Sequence, residues 1–367
     1  MKPSENSKDY LHGLDGWRAI AVIAVLLDHT PPLQSIFLRH HLQARGGQGV
    51  FMFFAISGFL ICSRLLEEEA RRGRISPRNF YVRRAFRILP AAVVYLLVIA
   101  LLGKAGAIRF SPGSWRAALL FYENYWGLFA TPTTPSWQTG HFWSLSVEEH
   151  FYLLLPGILL LFPRARKIVL LLLACVSIGW LSVFLYTASD AKLRQFWLPR
   201  TEFSLSALLI AAMVAIALRS PAVKARAVRW LSPWWVCGVA AVAAYYDSSW
   251  GSRGHLWFEI VVGRVLLNPL VVVATVLHPM NWITRLLETA PLKFVGRISY
   301  SLYLWQQLFL IRTTVYPGAI RVLQRPGVGT ACAVVCAVAS YYLIETPMIR
   351  LGRRFQAAHK EMRREAL

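Results

Sequence analysis

The sequence predicts an all-α fold: a polytopic membrane helix bundle of about ten transmembrane helices with both termini cytoplasmic. Three observations predict it. Hydrophobic residues make up 56% of the 367 residues and charged residues only 16%, against about 45–50% and about 25% in soluble domains. Mean hydropathy is +0.46. The apolar residues also fall into ten runs that cross, or nearly cross, a bilayer. Such a composition excludes disorder and argues against a soluble enzyme, because a membrane bundle must be apolar on its lipid face as well as in its core.

The runs lie near 14–30, 49–65, 88–104, 141–162, 168–187, 202–218, 230–246, 257–278, 298–312 and 328–345. The run at 298–312 is short. A further apolar segment, 117–130, carries Glu123 and Asn124 and reads as re-entrant or interfacial. The domain reading is one membrane domain over 1–350 and a basic cytoplasmic tail over 351–367. The polar N-terminus leads into a first run with no small-residue cleavage site behind it, so that run reads as a retained span.

Lys and Arg number 40 against 18 Asp and Glu, a net charge of +22. A nucleic-acid binder would carry this charge on a polar domain, and no polar stretch is long enough to form one. The basic residues instead punctuate the apolar runs, as the positive-inside rule expects. One cluster, Arg64 to Arg87, joins the second and third spans. Others follow the fourth span (Arg164, Arg166, Lys167), the sixth (Arg219, Lys224, Arg226, Arg229) and the last (Arg350, Arg353, Arg354). Ten spans with both termini inside put all four clusters in the cytoplasm, provided 105–140 lies outside. The five cysteines sit in or at the ends of apolar runs, with no CxxC pair and no His at metal spacing, so they read as inert thiols and no metal is expected.

Polar residues within these runs are the candidates for chemistry. Arg18 and His29 are eleven residues apart, about three helical turns and a rise of ~16 Å, so they share one face. Each also has a structural reading, Arg18 as an interfacial anchor and His29 as a helix end. Arg84 and Arg87, at i and i+3, can hold a phosphate or pyrophosphate between two guanidiniums, or serve topology alone. Ser57 and Gly58 lie mid-span and serve helix packing or a substrate path. Glu148, Glu149 and His150 open the fourth span at the expected level of His29. A carboxylate there can orient the His29 ring, or simply favour the helix start. In that reading Trp137, Trp143 and Tyr152 form an aromatic belt. Arg297 stands at a cytoplasmic edge, followed by Tyr300, Tyr303, Gln306 and Gln307. Glu345 and Arg350 flank Pro347 and can close the bundle with an ion pair.

Six motifs now stand in order. They are Arg18 with His29, the FFxxSGFLI stretch at Phe53–Ile61, Arg84-x-x-Arg87 before Pro90, WSLSVEE-x-FY at Trp143–Tyr152, GRISYSLYLW at Gly296–Trp305, and Glu345-x-Pro347. Together they resemble the membrane acyltransferase 3 family, from Leu14 to about Arg350. The resemblance implies transfer of an acyl group, usually acetyl, from acyl-CoA to a sugar hydroxyl. It implies His29 as the catalytic histidine, Arg84 and Arg87 as the CoA-binding pair, and Arg18 and Glu148 as supporting charges. Arg297 is grouped with the cofactor-binding residues; Ser57, Glu149, His150, Tyr300 and Gln306 are grouped along the substrate path. Two positions depart from the family pattern: His150 stands where Gln is usual, and Gln306 where His is common.

The expected mechanism has cytoplasmic arginines gripping the nucleotide while the pantetheine arm reaches up the bundle. His29 then acts as general base on the acceptor hydroxyl, supported by Glu148, with an acyl-histidine intermediate as the alternative. The expected partners are the lipid bilayer, acyl-CoA and a saccharide or glycosylated acceptor, with no nucleic acid, at the cytoplasmic (inner) membrane. The rival reading is a transporter or exporter of a sugar or lipid with His29, Glu148 and Glu149 as a proton relay. No inverted pair of broken helices supports it. An inactive membrane scaffold is a third reading.

Overall fold

The computed structural model describes residues 10–30, 45–126, 137–187, 199–247, 257–310, 319–325 and 327–365, and every regular element among them is helical. The chain begins with α1 (Leu14–His29), α2 (Gly46–Arg72) and α3 (Pro77–Lys104). Two short helices follow, α4 (Pro112–Leu119) and α5 (Glu123–Trp126). A short turn, α6 (Trp137–Gly140), leads into α7 (Phe142–Leu161), then α8 (Arg166–Thr187), α9 (Thr201–Ala217), α10 (Pro221–Trp230) and α11 (Pro233–Asp247). A π-helical stretch, Phe258–Leu266, continues as α12 (Leu267–Leu277). The rest comprises α13 (Trp282–Leu287), α14 (Ala290–Arg297), α15 (Ser299–Phe309), a 3₁₀ turn, α16 (Val328–Ser340) and α17 (Thr346–Glu365), the last two joined by π-helical Tyr341–Glu345.

A helix stands at each of the ten apolar runs, and they differ in length among the described residues. Six helices are long and apolar enough to span a membrane: 46–72, 77–104, 137–161, 166–187, 258–277 and 328–357. The pair α9 and α10, bent by 112°, makes a seventh if it is one span. By contrast α1 has 16 residues, α11 has 15 and α15 has 11, short of the roughly 20 that a bilayer requires. Each of these three ends against residues outside the described set. The described part of segment 117–130 does not cross. It breaks between α4 and α5, where Phe121 takes a positive φ of 54°. The last helix, α17, runs without interruption from Thr346 through Arg350 to Glu365.

The outer surface confirms the membrane character of the chain. Leu101, Leu161, Leu172, Trp180 and Leu343 are all exposed on long apolar helices, which water would penalise and lipid does not. The core centres on α2, which packs against α1, α9, α7 and α12 and is the most buried of the spanning helices. Small residues allow this. A Cβ on Gly49 would collide with the Ala21 carbonyl of α1, and one on Gly58 with the Leu208 carbonyl of α9. In lipid the drive for such contacts is close packing of small residues rather than hydrophobic exclusion. Helix starts are set locally: Ser76 caps α3 by accepting from the Asn79 N–H, with Pro77 at the first helical position. The cysteines are free, with Cys62 buried and Cys175 exposed, and no group of metal-binding side chains occurs among the described residues.

Candidate active site

Ser144, Glu148 and Tyr152 follow one another at four-residue intervals on α7, so they share one face, and His141 lies one turn before them. That face looks into the bundle. With Val50, Phe53, Phe54, Ser57 and Leu60 of α2, Arg18 of α1, Arg84, Arg87 and Ile88 of α3, and Tyr300 and Tyr303 of α15, it lines a narrow cavity of about 90 Å³. A wider cavity of about 530 Å³ shares Arg18, Leu60, Arg84 and Arg87 with it. The wider cavity is walled by the C-terminal half of α2, the start of α3 and Arg353 of α17. The two therefore share a wall that includes three arginines.

Charge in this region is unbalanced. Eight arginines line the wide cavity (Arg18, Arg64, Arg71, Arg72, Arg83, Arg84, Arg87 and Arg353) against Glu67 and Glu68. Arg64 pairs with Glu67 at 3.1 Å, and Glu68 takes Arg72 at 3.0 Å and Arg83 at 3.3 Å. Arg18 pairs with Asp15 at 2.9 Å. Arg84 and Arg87 have no carboxylate within ion-pair distance among the described residues, which leaves the junction positive. The Arg84 guanidinium instead lies over the Tyr152 ring, 4.6 Å from its centre, a cation–π contact that holds it without neutralising it. Glu148 is the counter-charge deeper in. Ser57 donates to its Oε1 at 3.2 Å and the Tyr152 hydroxyl to its Oε2 at 2.5 Å. A carboxylate buried among helices is tolerated only with such partners.

His29 lines neither cavity. The Tyr303 hydroxyl bonds Ser144 at 2.6 Å and donates to the His141 carbonyl at 3.1 Å. Tyr303 also lines the narrow cavity, and His141 is within electrostatic range of His29. Glu148, the carboxylate expected beside His29, is bonded by Ser57 and Tyr152. The His29 Nδ1 atom faces Gln306 Oε1 at 2.8 Å instead. The reason is helical rise: Glu148 is seven residues, about 10 Å, along α7 from His141, so its side chain reaches α2 and Arg84 rather than the end of α1.

The other expected residues divide. Ser57, Glu149 and Tyr300 line the narrow cavity, and Tyr300 also donates to the Ile88 carbonyl at 2.8 Å. His150 points elsewhere, pairing with Thr201 at 2.6 Å beside Asn124. Arg297 is exposed and lines neither cavity. Glu345 is buried and bonded by Ser301, while Arg350 is exposed and makes no ion pair with it. The aromatic belt also changes place: Tyr152 is buried in the cavity wall, and the Trp137 ring meets the His29 ring edge-on at 5.4 Å. Sequence reading passed over Ser144 and His141. The four-residue spacing of Ser144, Glu148 and Tyr152 in an apolar helix was the available signal.

A surplus of guanidiniums beside a narrow cavity can bind an anionic group through charged hydrogen bonds. A family model described as an acyltransferase domain matches residues 11–345. The chain belongs to the acyltransferase 3 family. Every residue of the narrow cavity falls within the matched span. Among curated relatives, the peptidoglycan O-acetyltransferase OatA of Listeria monocytogenes is 27% identical over 94% of this chain and 57% of its own length. The O-acetyltransferase OatA of Staphylococcus aureus is 28% identical over 94% of this chain and 58% of its own length. The chain thus spans rather less than two thirds of the relatives it matches in this acyltransferase 3 family. No solved structure matches it.

Proposed function

We propose that the chain is a membrane O-acyltransferase that moves an acyl group, acetyl by analogy with its relatives, from acyl-CoA to a hydroxyl of a carbohydrate or glycosylated acceptor. The observation that carries this reading is the arginine-lined cavity that narrows onto Arg18, Arg84, Arg87 and Glu148, with His29 farther along α1. Arg84 and Arg87 would grip the phosphates of the nucleotide through charged hydrogen bonds. The narrow cavity would take the pantetheine arm. Both termini and the arginine-lined mouth would face the cytoplasm, at the inner membrane, as the basic clusters predict.

In this reading the acceptor hydroxyl loses its proton to neutral His29 as its oxygen attacks the thioester carbonyl. The tetrahedral intermediate then breaks its C–S bond, and the departing thiolate takes the proton back. His29 lines neither cavity, so the thioester must reach beyond the narrow cavity to meet it. Glu148 acts at one remove: it anchors Tyr152 and Ser57 and balances Arg84, rather than stabilising the imidazolium directly. The transporter reading is not favoured, because the family and its relatives are acyltransferases.

The test is thiol release from acetyl-CoA by detergent-purified protein, with and without cell-wall glycan fragments. His29→Ala is expected to lose about 10²–10⁴-fold in turnover while still binding CoA. Full turnover in His29→Ala overturns the proposal.

A further inference from the structure

Three side-chain amide and imidazole groups form a line that ends on His29. The Trp137 backbone carbonyl accepts from Gln307 Nε2 at 2.9 Å, Gln307 Oε1 accepts from Gln306 Nε2 at 2.9 Å, and Gln306 Oε1 faces His29 Nδ1 at 2.8 Å. Gln306 and Gln307 are both buried. The line is also clamped at its origin, where the Trp137 indole N–H donates back to the Gln307 backbone carbonyl at 3.0 Å.

The direction of every bond follows from one end. A backbone carbonyl can only accept, so the Gln307 amide must present its NH₂ to Trp137. Its oxygen therefore faces Gln306, which must present its own NH₂ in return. The Gln306 oxygen is then left facing His29, and an oxygen opposite Nδ1 requires a proton on Nδ1. Reversing any amide would set donor against donor or acceptor against acceptor in a buried place. We infer that Gln306 and Gln307 are positioning residues that hold His29 in the Nδ1–H tautomer, so that Nε2 is the basic nitrogen of the reaction.

This deepens the proposed function and rests on it. The acceptor hydroxyl proton passes to Nε2, the new C–O bond forms, the C–S bond breaks, and Nε2 returns the proton to the thiolate. Nδ1 keeps its proton throughout. The imidazolium that forms in between faces the Gln306 carbonyl dipole rather than a carboxylate, so this site is a triad with an amide in the acid's position. Other charged and ionisable groups stand on α1 and on the elements near it. His141 lies within electrostatic range at the start of α7. The carboxylate of Asp28, on α1 itself, lies against Gly46 of α2, and Arg264, paired with Glu259, lies against Gly47. None stands between Nδ1 and Gln306.

Three full-length variants test the relay: Gln306→Leu, Gln306→Glu and Gln307→Leu. The readouts are thiol release from acetyl-CoA, and the pH midpoint of His29 carbethoxylation by diethyl pyrocarbonate, read by peptide mass spectrometry. Gln306→Leu is expected to lower kcat about 10–100-fold with KM for acetyl-CoA within about twofold, and Gln307→Leu to lower it less. Gln306→Glu sets a negative charge beside Nδ1, which favours the charged ring. Its carbethoxylation midpoint and the acid limb of kcat/KM should both move up by about one pH unit. Wild-type kcat in Gln306→Leu, or an unmoved midpoint in Gln306→Glu, overturns the relay. The carbethoxylation midpoint needs no turnover, so it decides the case even where Gln306→Leu fails to fold. Loss of turnover in His29→Ala alongside neutral Gln306 variants sinks only the relay, whereas full turnover in His29→Ala sinks the reading beneath it.

Discussion

Arg84→Ala is the most informative single change. Arg84 borders both cavities and has no carboxylate within ion-pair distance among the described residues, so a bound phosphate would be its charge partner. A hydrogen bond to a charged group contributes about 1.5–3 kcal/mol, and about 1.4 kcal/mol is tenfold in affinity. Removing Arg84 should therefore weaken CoA binding about 10- to 140-fold. Arg84→Lys keeps the charge but loses the planar fork and should fall between the two. The control is Arg226→Ala, which removes the same charge from an exposed position on α10 that lines neither cavity. Isothermal titration of CoA into detergent-purified protein measures all three. Loss of the contact with Tyr152 costs the fold about 0.5–2 kcal/mol, so melting temperatures must be compared alongside. If Arg226→Ala weakens CoA as much as Arg84→Ala, the grip is only net charge and the argument for a built site fails.

Two further predictions concern the frame around the site. A Cβ on Gly58 would press on the Leu208 carbonyl and stand 3.0 Å from Ala211 Cβ. Gly58→Ala should thus separate α2 from α9 at a cost of about 1–3 kcal/mol, and an unchanged melting temperature in detergent would contradict that packing. Glu123 lies outside the spanning helices, where burial pushes its carboxyl up to about 8 although Ser114 donates to it at 2.6 Å. The folded state therefore keeps this proton to higher pH than the unfolded chain. Its contribution is whole below about pH 4.5 and is lost as pH rises through about 8, with a slope of at most ~1.4 kcal/mol per pH unit. Glu123→Gln should flatten the fall in melting temperature across that window; equal slopes in the two proteins would refute the burial argument.

Much of the bundle was legible in the sequence because hydropathy and helical period are local properties. Each apolar run became helical, and Arg18, Ser57, Arg84, Arg87, Glu148 and Tyr300 do border a shared space. Spacing along one helix predicts which side chains share its face. It does not predict the partner across the gap. Two helix ends at one depth are expected to meet, which pairs Glu148 with His29, yet the structure seats Glu148 against Ser57 and Tyr152. Gln306, which looked like a simple departure from the family pattern, takes its place beside the ring. His150 and Arg297, read as path and cofactor residues, lie on faces that turn away.

By itself, then, the amino-acid order determined the helical class, the basic clusters and the family, since composition, periodicity and ordered motifs are written along one dimension. Only tertiary structure decided which side chains line the cavities and which group addresses His29 Nδ1. Those depend on rotation and axial offset between helices distant in sequence. The helix period constrains both within one helix and neither between two.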